Sequence, residues 1–433
     1  MKTIVTELIK KLILFILLLG FLWLALVAAC TIPNEKIREK MEKSALYYKN
    51  TDAFSFENGK KLNAVSDNYA DSIALNLSYN MGRGNPFKAS LDTAYYSGGE
   101  EGLNRGLYRT VNEEMLPDTE YTRYWHGNAM IIRFMHLFTD ISGIKTAGII
   151  KVTILLAITL FILIIRKNYV TASSLFVSSI LIHIWNLRLS LEYQSSFVIG
   201  FLMCILFLQA ERKKEKALSY MALAGGILVA FFDFLTTETV AILLPLVLVT
   251  SARLEEGRLN DIKKYRKTLI NCVISYASGY AFTFISKWAV ASAFTGVDKF
   301  TEAFTKSQAV FERSGETSDN IFIRMINAVA ANLTALAGGE KRIEFSRVFI
   351  YILIISLVVF SLLYLCGKRE KTAGIYILPL LGAVVILRYM VMPGHSYMHN
   401  FFTYRALIST LTAVFASAGI CITLRRGKKN GKA

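Results

Sequence analysis

Apolar runs close to the length that crosses a bilayer core, about 20 residues, recur along this 433-residue chain, and most of them end in a short cluster of Lys and Arg. Windows of this kind predict helices near 12–30, 146–165, 169–186, 196–210, 218–232, 235–251, 268–290, 347–366, 373–391 and 406–424. The pattern is that of an all-α polytopic membrane protein with about ten transmembrane helices. Two polar intervals break it. Residues 31–145 form a loop too long to be a simple connection and able to carry helices of its own, and residues 291–346 form a second. The expected organisation is therefore an N-terminal helix (1–30), the first loop (31–145), helices 2–7 (146–290), the second loop (291–346), and helices 8–10 with a basic tail (347–433). In the second loop, RSGETSDN is wholly polar, whereas the flanks FTEAFTKSQAVF and IFIRMINAVAANLTALA have helical spacing suited to an interface.

The formal charge of +17 changes this picture only in orientation. Lys2, Lys10 and Lys11, then Arg166-Lys167, ERKKEK from 211, RLEEGRLNDIKKYRK from 253, KREK from 368 and RRGKKNGK from 425 all fall on one side of the alternation. That side is expected to be cytoplasmic, with both termini, in a plasma membrane, and both long loops to be extracytoplasmic. The basic residues thus report topology, and no nucleic-acid partner is expected. The five cysteines stand singly, so neither disulfides nor zinc is expected. Val27-Ala28-Ala29-Cys30 has the look of a lipoprotein cleavage box, but the run before it is long enough to span, and an uncleaved first helix is the favoured reading.

The ionisable residues within the runs, Lys151, His183, Asp233, Lys287 and Arg388, all fall near outer helix ends, none at the midplane. Carriers tend to place charges near the bilayer centre, whereas work on a lipid head group needs polar groups at one interface. Lys151 and Lys287 also fit simple snorkelling. The outer turns add Arg188, Glu192, Glu238 and the stretch GHSYMHNFFTYR. In it His395 and His399 share a helix face, but Ser396 breaks any HExxH pattern, and hydrogen-bonding imidazoles are favoured over a metal pair. Arg405 carries the planar fork that suits a phosphate, or else anchors the last helix at the interface.

In the first loop, SDNYADSIALNLSYN read as a helix puts Asp67 and Asp71 on one face, so both carboxylates would address the same space. A partly desolvated carboxylate there has the chemistry to take a proton from a hydroxyl, and a neighbouring one can raise its proton affinity or share a divalent cation. The alternative is a pair of solvated or capping acids. Further on, YTRYWHGNAMIIRFMHLF joins His126 to an amphipathic run whose Arg123 and Arg133 would lie near phosphates. Sequons at Asn76 and Asn332 are short patterns of little weight.

Taken together, a cytoplasmic start, one helix, a long outer loop with an early acidic motif and a bundle with polar outer turns resembles the GT-C superfamily of membrane glycosyltransferases. The resemblance implies transfer of a sugar from a polyprenyl-phosphate donor to a glycan, lipid or protein acceptor at the outer face. It implies Asp67 as base with Asp71 beside it, and His126, Arg188, Arg388, His395, His399 and Arg405 as candidates for substrate and lipid phosphate. In that family the motif is commonly two adjacent acids or Asp-x-Asp; here Asn68 follows Asp67 and the second acid is Asp71. Other readings are a transporter or flippase of a lipid-linked glycan, a polymerase or ligase leaning on Arg and His, and a non-catalytic assembly partner.

Overall fold

A computed structural model describes residues 2–57, 59–301, 303, 305, 320–344, 346–348 and 374–430, with backbone alone at 2–4 and 424–430. The helix expected at 347–366, Cys366, and most of the polar centre of the second loop lie outside the described residues. Within them the chain is helical almost throughout, and its strands are four pieces of two or three residues.

The first helix, α1 (Lys2–Cys30), leads directly into α2 (Asn34–Lys49). The polar interval that follows is folded: β1 (Phe54–Phe56) pairs antiparallel with β2 (Val65–Asp67), setting Phe54 opposite Asp67. Asp67 then caps α3 (Asn68–Asn80), its Oδ1 accepting the Ala70 N–H at 2.8 Å, one of the donors a helix start leaves unpaired. Asn85 caps α4 (Pro86–Leu91), with Pro86 at the first helical position where no N–H is needed. Next come β3 (Ala94–Tyr95), paired with β4 (Thr119–Glu120), and between them α5 (Leu103–Asn112); α6 (Gly127–Met135) completes the segment.

The bundle is α7 (Ile141–Ile165), α8 (Tyr169–Leu181), α9 (Ser195–Ala210), α10 (Ala217–Phe232), α11 (Val240–Glu255), α12 (Ile262–Thr295), α13 (Ile321–Leu336), α14 (Ile377–Val391), two short helices α15 (Pro393–Met398) and α16 (Asn400–Thr403), and α17 (Leu407–Asn430). Every residue of α11 from Val240 to Arg253 is buried; a helix apolar all round belongs at the centre, and it packs against α9, α14 and α17. By contrast α1 and α7 carry bare apolar faces, with Leu17 66%, Phe21 68%, Phe161 62% and Ile165 63% exposed. Among the described residues four helices, Val5–Cys30, Ile141–Ile165, Ile262–Thr295 and Asn400–Thr423, are long and apolar enough to cross a membrane. Exposed apolar faces of that extent need lipid or a partner to cover them.

Three of the basic clusters meet at one end of the bundle. Buried Glu211 binds Arg166 at 2.5 Å, Arg258 at 2.7 Å and Arg253 at 3.0 Å, and Glu256 binds Arg166 at 3.1 Å, so the turns after α7, α9 and α11 share one ion network. Cys30, Cys204 and Cys272 are free and buried. Cys421 is disulfide-bonded, which corrects the expectation of no disulfide: cysteines that stand singly in sequence can still meet in the fold, where spacing gives no sign of them.

Helices α10 and α12 approach closely because glycine faces backbone on both sides. A Cβ on Gly226 would lie 2.2 Å from the Tyr276 carbonyl oxygen, and one on Gly279 2.4 Å from that of Leu223. Gly226→Ala must therefore push the helices apart, at a cost of about 1–3 kcal/mol. The expected result is a lower midpoint of thermal aggregation for the detergent-solubilised protein; an unchanged midpoint would contradict this packing.

Candidate functional site

At the end of the bundle away from the ion network, the segment before α7 closes over the helix ends and leaves a cleft of about 400 Å³, within the range of small-molecule sites. Its polar lining is Asp67, Glu192, Arg123, His395, His399 and the tyrosines 69, 95, 121 and 124; Phe54, Phe234, Met398 and Phe402 supply apolar surface.

Asp67 is 4% exposed. One oxygen holds the start of α3, and Glu192 is hydrogen-bonded to the same carboxyl. Two buried acids this close cannot both ionise. Burial, then the charges of Asp67 and Asp71, push Glu192 well above the usual carboxyl range, and burial lifts Asp67 to about 7. The proton of the pair therefore rests on Glu192, which donates to the Asp67 carboxylate.

Asp71 does other work. Its Oδ1 accepts from Ser190 Oγ at 2.7 Å and the Leu191 N–H at 2.8 Å, and its Oδ2 accepts from Tyr48 Oη at 2.8 Å and lies 2.7 Å from Lys145 Nζ. The two acids share a helix but not a space: Asp67 borders the cleft, whereas Asp71 is spent on α2, α7 and the turn 184–194. That grip sets the turn whose next residue is Glu192.

Of the basic candidates, Arg388 forms a two-pronged pair with Glu238 at 2.7 and 3.2 Å, and also donates to Ser396 Oγ and the Leu235 carbonyl. Leu235 sits at φ +65°, a conformation costly for a side-chain-bearing residue. Asp233 braces that turn by accepting from the Thr236 N–H and hydroxyl. Arg405 is fully buried, donates to the carbonyls of Phe401 and Asn63, and lies 4.5 Å from the Tyr193 ring. Arg188 pairs with Glu57 at 2.5 Å on the surface. His126 is buried behind the cleft wall with Nε2 2.6 Å from the Tyr121 carbonyl, and burial holds it near 3, so it is neutral. Arg133, read as a phosphate contact, is instead buried against the carbonyls of Ala29, Ser78, Tyr79 and Ile32.

His395 and His399 do face the cleft, their rings 4.8 Å apart. Both are neutral: burial depresses each, His399 to about 4. Among the described residues no group of three or more His, Cys, Asp and Glu could hold a metal ion. A divalent cation thus finds no ready ligand set among the described residues of the cleft.

The cleft's cation is Arg123. It lies over the rings of Tyr121 and Tyr124 at 4.7 and 5.2 Å, its Nε has no partner, and no carboxylate among the described residues pairs with it. From the sequence Arg123 reads as a head-group contact and Glu192 as one acid in a polar turn. The signal for Glu192 was its place in an otherwise apolar stretch, Leu191-Glu192-Tyr193. Both sequons fall on buried side chains, Asn76 and Asn332.

Comparison of the chain with family models, with curated proteins and with solved structures yields no match.

The division of labour between the two aspartates is testable by stability. Asp71→Ala leaves Lys145, itself only 14% exposed, without its counter-charge, a loss of about 3–5 kcal/mol. Asp67→Asn keeps an equally good helix cap and is expected to melt within a few degrees of wild type. Equal losses in thermal denaturation would refute the distinction.

Proposed function

We propose that the protein is a membrane glycosyltransferase of GT-C type, with about ten spans, both termini cytoplasmic and the cleft at the outer membrane face. The observation that carries this reading is a buried carboxylate held near neutrality across a cleft from an unpaired guanidinium, at the end of the bundle opposite the main basic clusters.

In this reading Asp67 takes the proton of an acceptor hydroxyl as its oxygen bonds to the anomeric carbon of the donor sugar. The bond from that carbon to the lipid phosphate breaks, and the phosphate leaves with the electron pair. Arg123 stabilises that charge; a preorganised cation in a partly dry site contributes a few kcal/mol (about 2–4) to such a step. Glu192 keeps its proton throughout and steadies Asp67 in the charged form. The four tyrosines offer faces and hydroxyls to a sugar. Donor and acceptor are a polyprenyl-phosphate-linked sugar and an envelope glycan, lipid or protein. One observation favours a second reading, a polymerase or ligase acting on lipid-diphosphate-linked chains: His395 and His399 share the cleft with Arg123.

The deciding experiment is mass-spectrometric profiling of surface glycans in the native host carrying wild type, a deletion, or Asp67→Asn at matched expression. The expected result is that deletion and Asp67→Asn lose the same sugar and accumulate the same unglycosylated acceptor. If deletion alters the profile while Asp67→Asn matches wild type, Asp67 is not the base and the ligase reading takes its place.

The pH dependence follows from the same pair. A base must be charged, so activity is expected to fall as pH drops through about 7. Stability runs the other way. The folded carboxyl holds its proton more tightly than the unfolded one, so burial costs nothing below the unfolded value, and stability declines as pH rises from about 4 to about 7. Glu192→Gln still donates to Asp67 and should keep the activity limb; Glu192→Leu should move it up by about one pH unit. A limb unmoved by Glu192→Leu in a pH–rate profile would exclude Asp67 as its source.

A further inference from the structure

On the far side of the turn that carries Glu192, a second hollow of about 160 Å³ lies between α6, α7 and α9. Its wall is apolar, including Ile144, Ala147, Val198 and Phe232, and its one charged residue is Lys151. Ile144, Ala147 and Lys151 recur at helical spacing, so α7 offers them along one side. The neighbouring stripe of α7 is bare, with Ile150 51%, Ile154 52% and Ile158 40% exposed. The hollow thus opens beside a face that only lipid or a partner can cover.

Two features select the occupant. Lys151 is exposed, and among the described residues no hydrogen bond, carboxylate or aromatic ring engages it, so its charge is available to a ligand. Its height is also defined: Lys145, six positions earlier, binds Asp71 in the folded outer segment, which sets Lys151 about 9 Å further down the same helix. With α7 crossing a bilayer and its Asp71-bound end at the surface, a lysine that far along can extend its side chain to a head-group phosphate while its stem lies among the chains. Asn128, Gln194 and Ser195 are the polar neighbours. A free amide would need more polar contacts and an acidic protein could not follow the apolar wall.

We propose that this groove holds one chain of an anionic phospholipid of the surrounding bilayer, with its phosphate on Lys151. The site rests on membrane insertion and not on glycosyl transfer. Leu191 lines the groove and its N–H binds Asp71, so the bound lipid would press on the turn that presents Glu192.

The test is native mass spectrometry of the full-length protein released from nanodiscs of mixed phosphatidylglycerol and phosphatidylcholine. Wild type is expected to retain one phosphatidylglycerol in preference to phosphatidylcholine, Lys151→Arg to keep it, and Lys151→Leu to retain about fivefold less. Ala147→Phe, which fills the groove and leaves the charge, should lose it too. Variants are compared only at thermal midpoints equal to wild type, with Lys151→Met substituting for any that unfolds. Equal retention by the Lys151→Leu protein, or no preference over phosphatidylcholine, overturns the proposal. So does Lys151-dependent displacement by undecaprenyl phosphate, which would give the groove to a carrier lipid.

Discussion

The Asp71 carboxylate is the constraint on which the cleft depends. It is 1% exposed and accepts from Tyr48 of α2, from Ser190 and Leu191 of the turn before α9, and pairs with Lys145 of α7. A buried charge without such partners costs several kcal/mol, about 3–5, so the three segments that satisfy it are obliged to stay with α3. Being one turn after Asp67 on α3, it also fixes the register between that helix and the 184–194 turn. Glu192 is the residue this register delivers to Asp67. The acid that holds the site and the acid that borders it are therefore different residues with opposite electrostatic surroundings: one ringed by donors and a cation, the other by a second acid and apolar walls.

The sequence carried the helices well and the site only in part. Apolar runs and basic ends gave a helix for each expected segment among the described residues, because periodicity and the need to bury apolar faces are local in the chain. The acid pair on α3 was also legible, since a helix start and four-residue spacing are local. What the spacing could not say is which way each acid faces, and that depended on Tyr48, Lys145 and Ser190, far away in sequence. Arg388 and Arg405 misled for the same reason. Their type suits a phosphate, but Glu238 neutralises the first and carbonyls with a tyrosine face consume the second. Arg123 had no motif to mark it, and only its lack of a counter-charge sets it apart.

That contrast orders the charges of the cleft end. Arg388 and Glu238 cancel within 2.7 Å, so their role is to fasten α14 to the strained turn at Leu235 that walls the cleft. Asp67 and Glu192 together hold a single negative charge, and Arg123 holds a positive one that nothing in the cleft removes. An occupant with a polar, uncharged body, one acidic hydrogen near Asp67 and one anionic group near Arg123 would complete the arrangement without leaving a charge unpaired. A hydroxyl-bearing acceptor beside a sugar phosphate has that distribution. The distribution of unpaired charge, more than any single residue, is the ground on which glycosyl transfer is proposed for this end of the bundle.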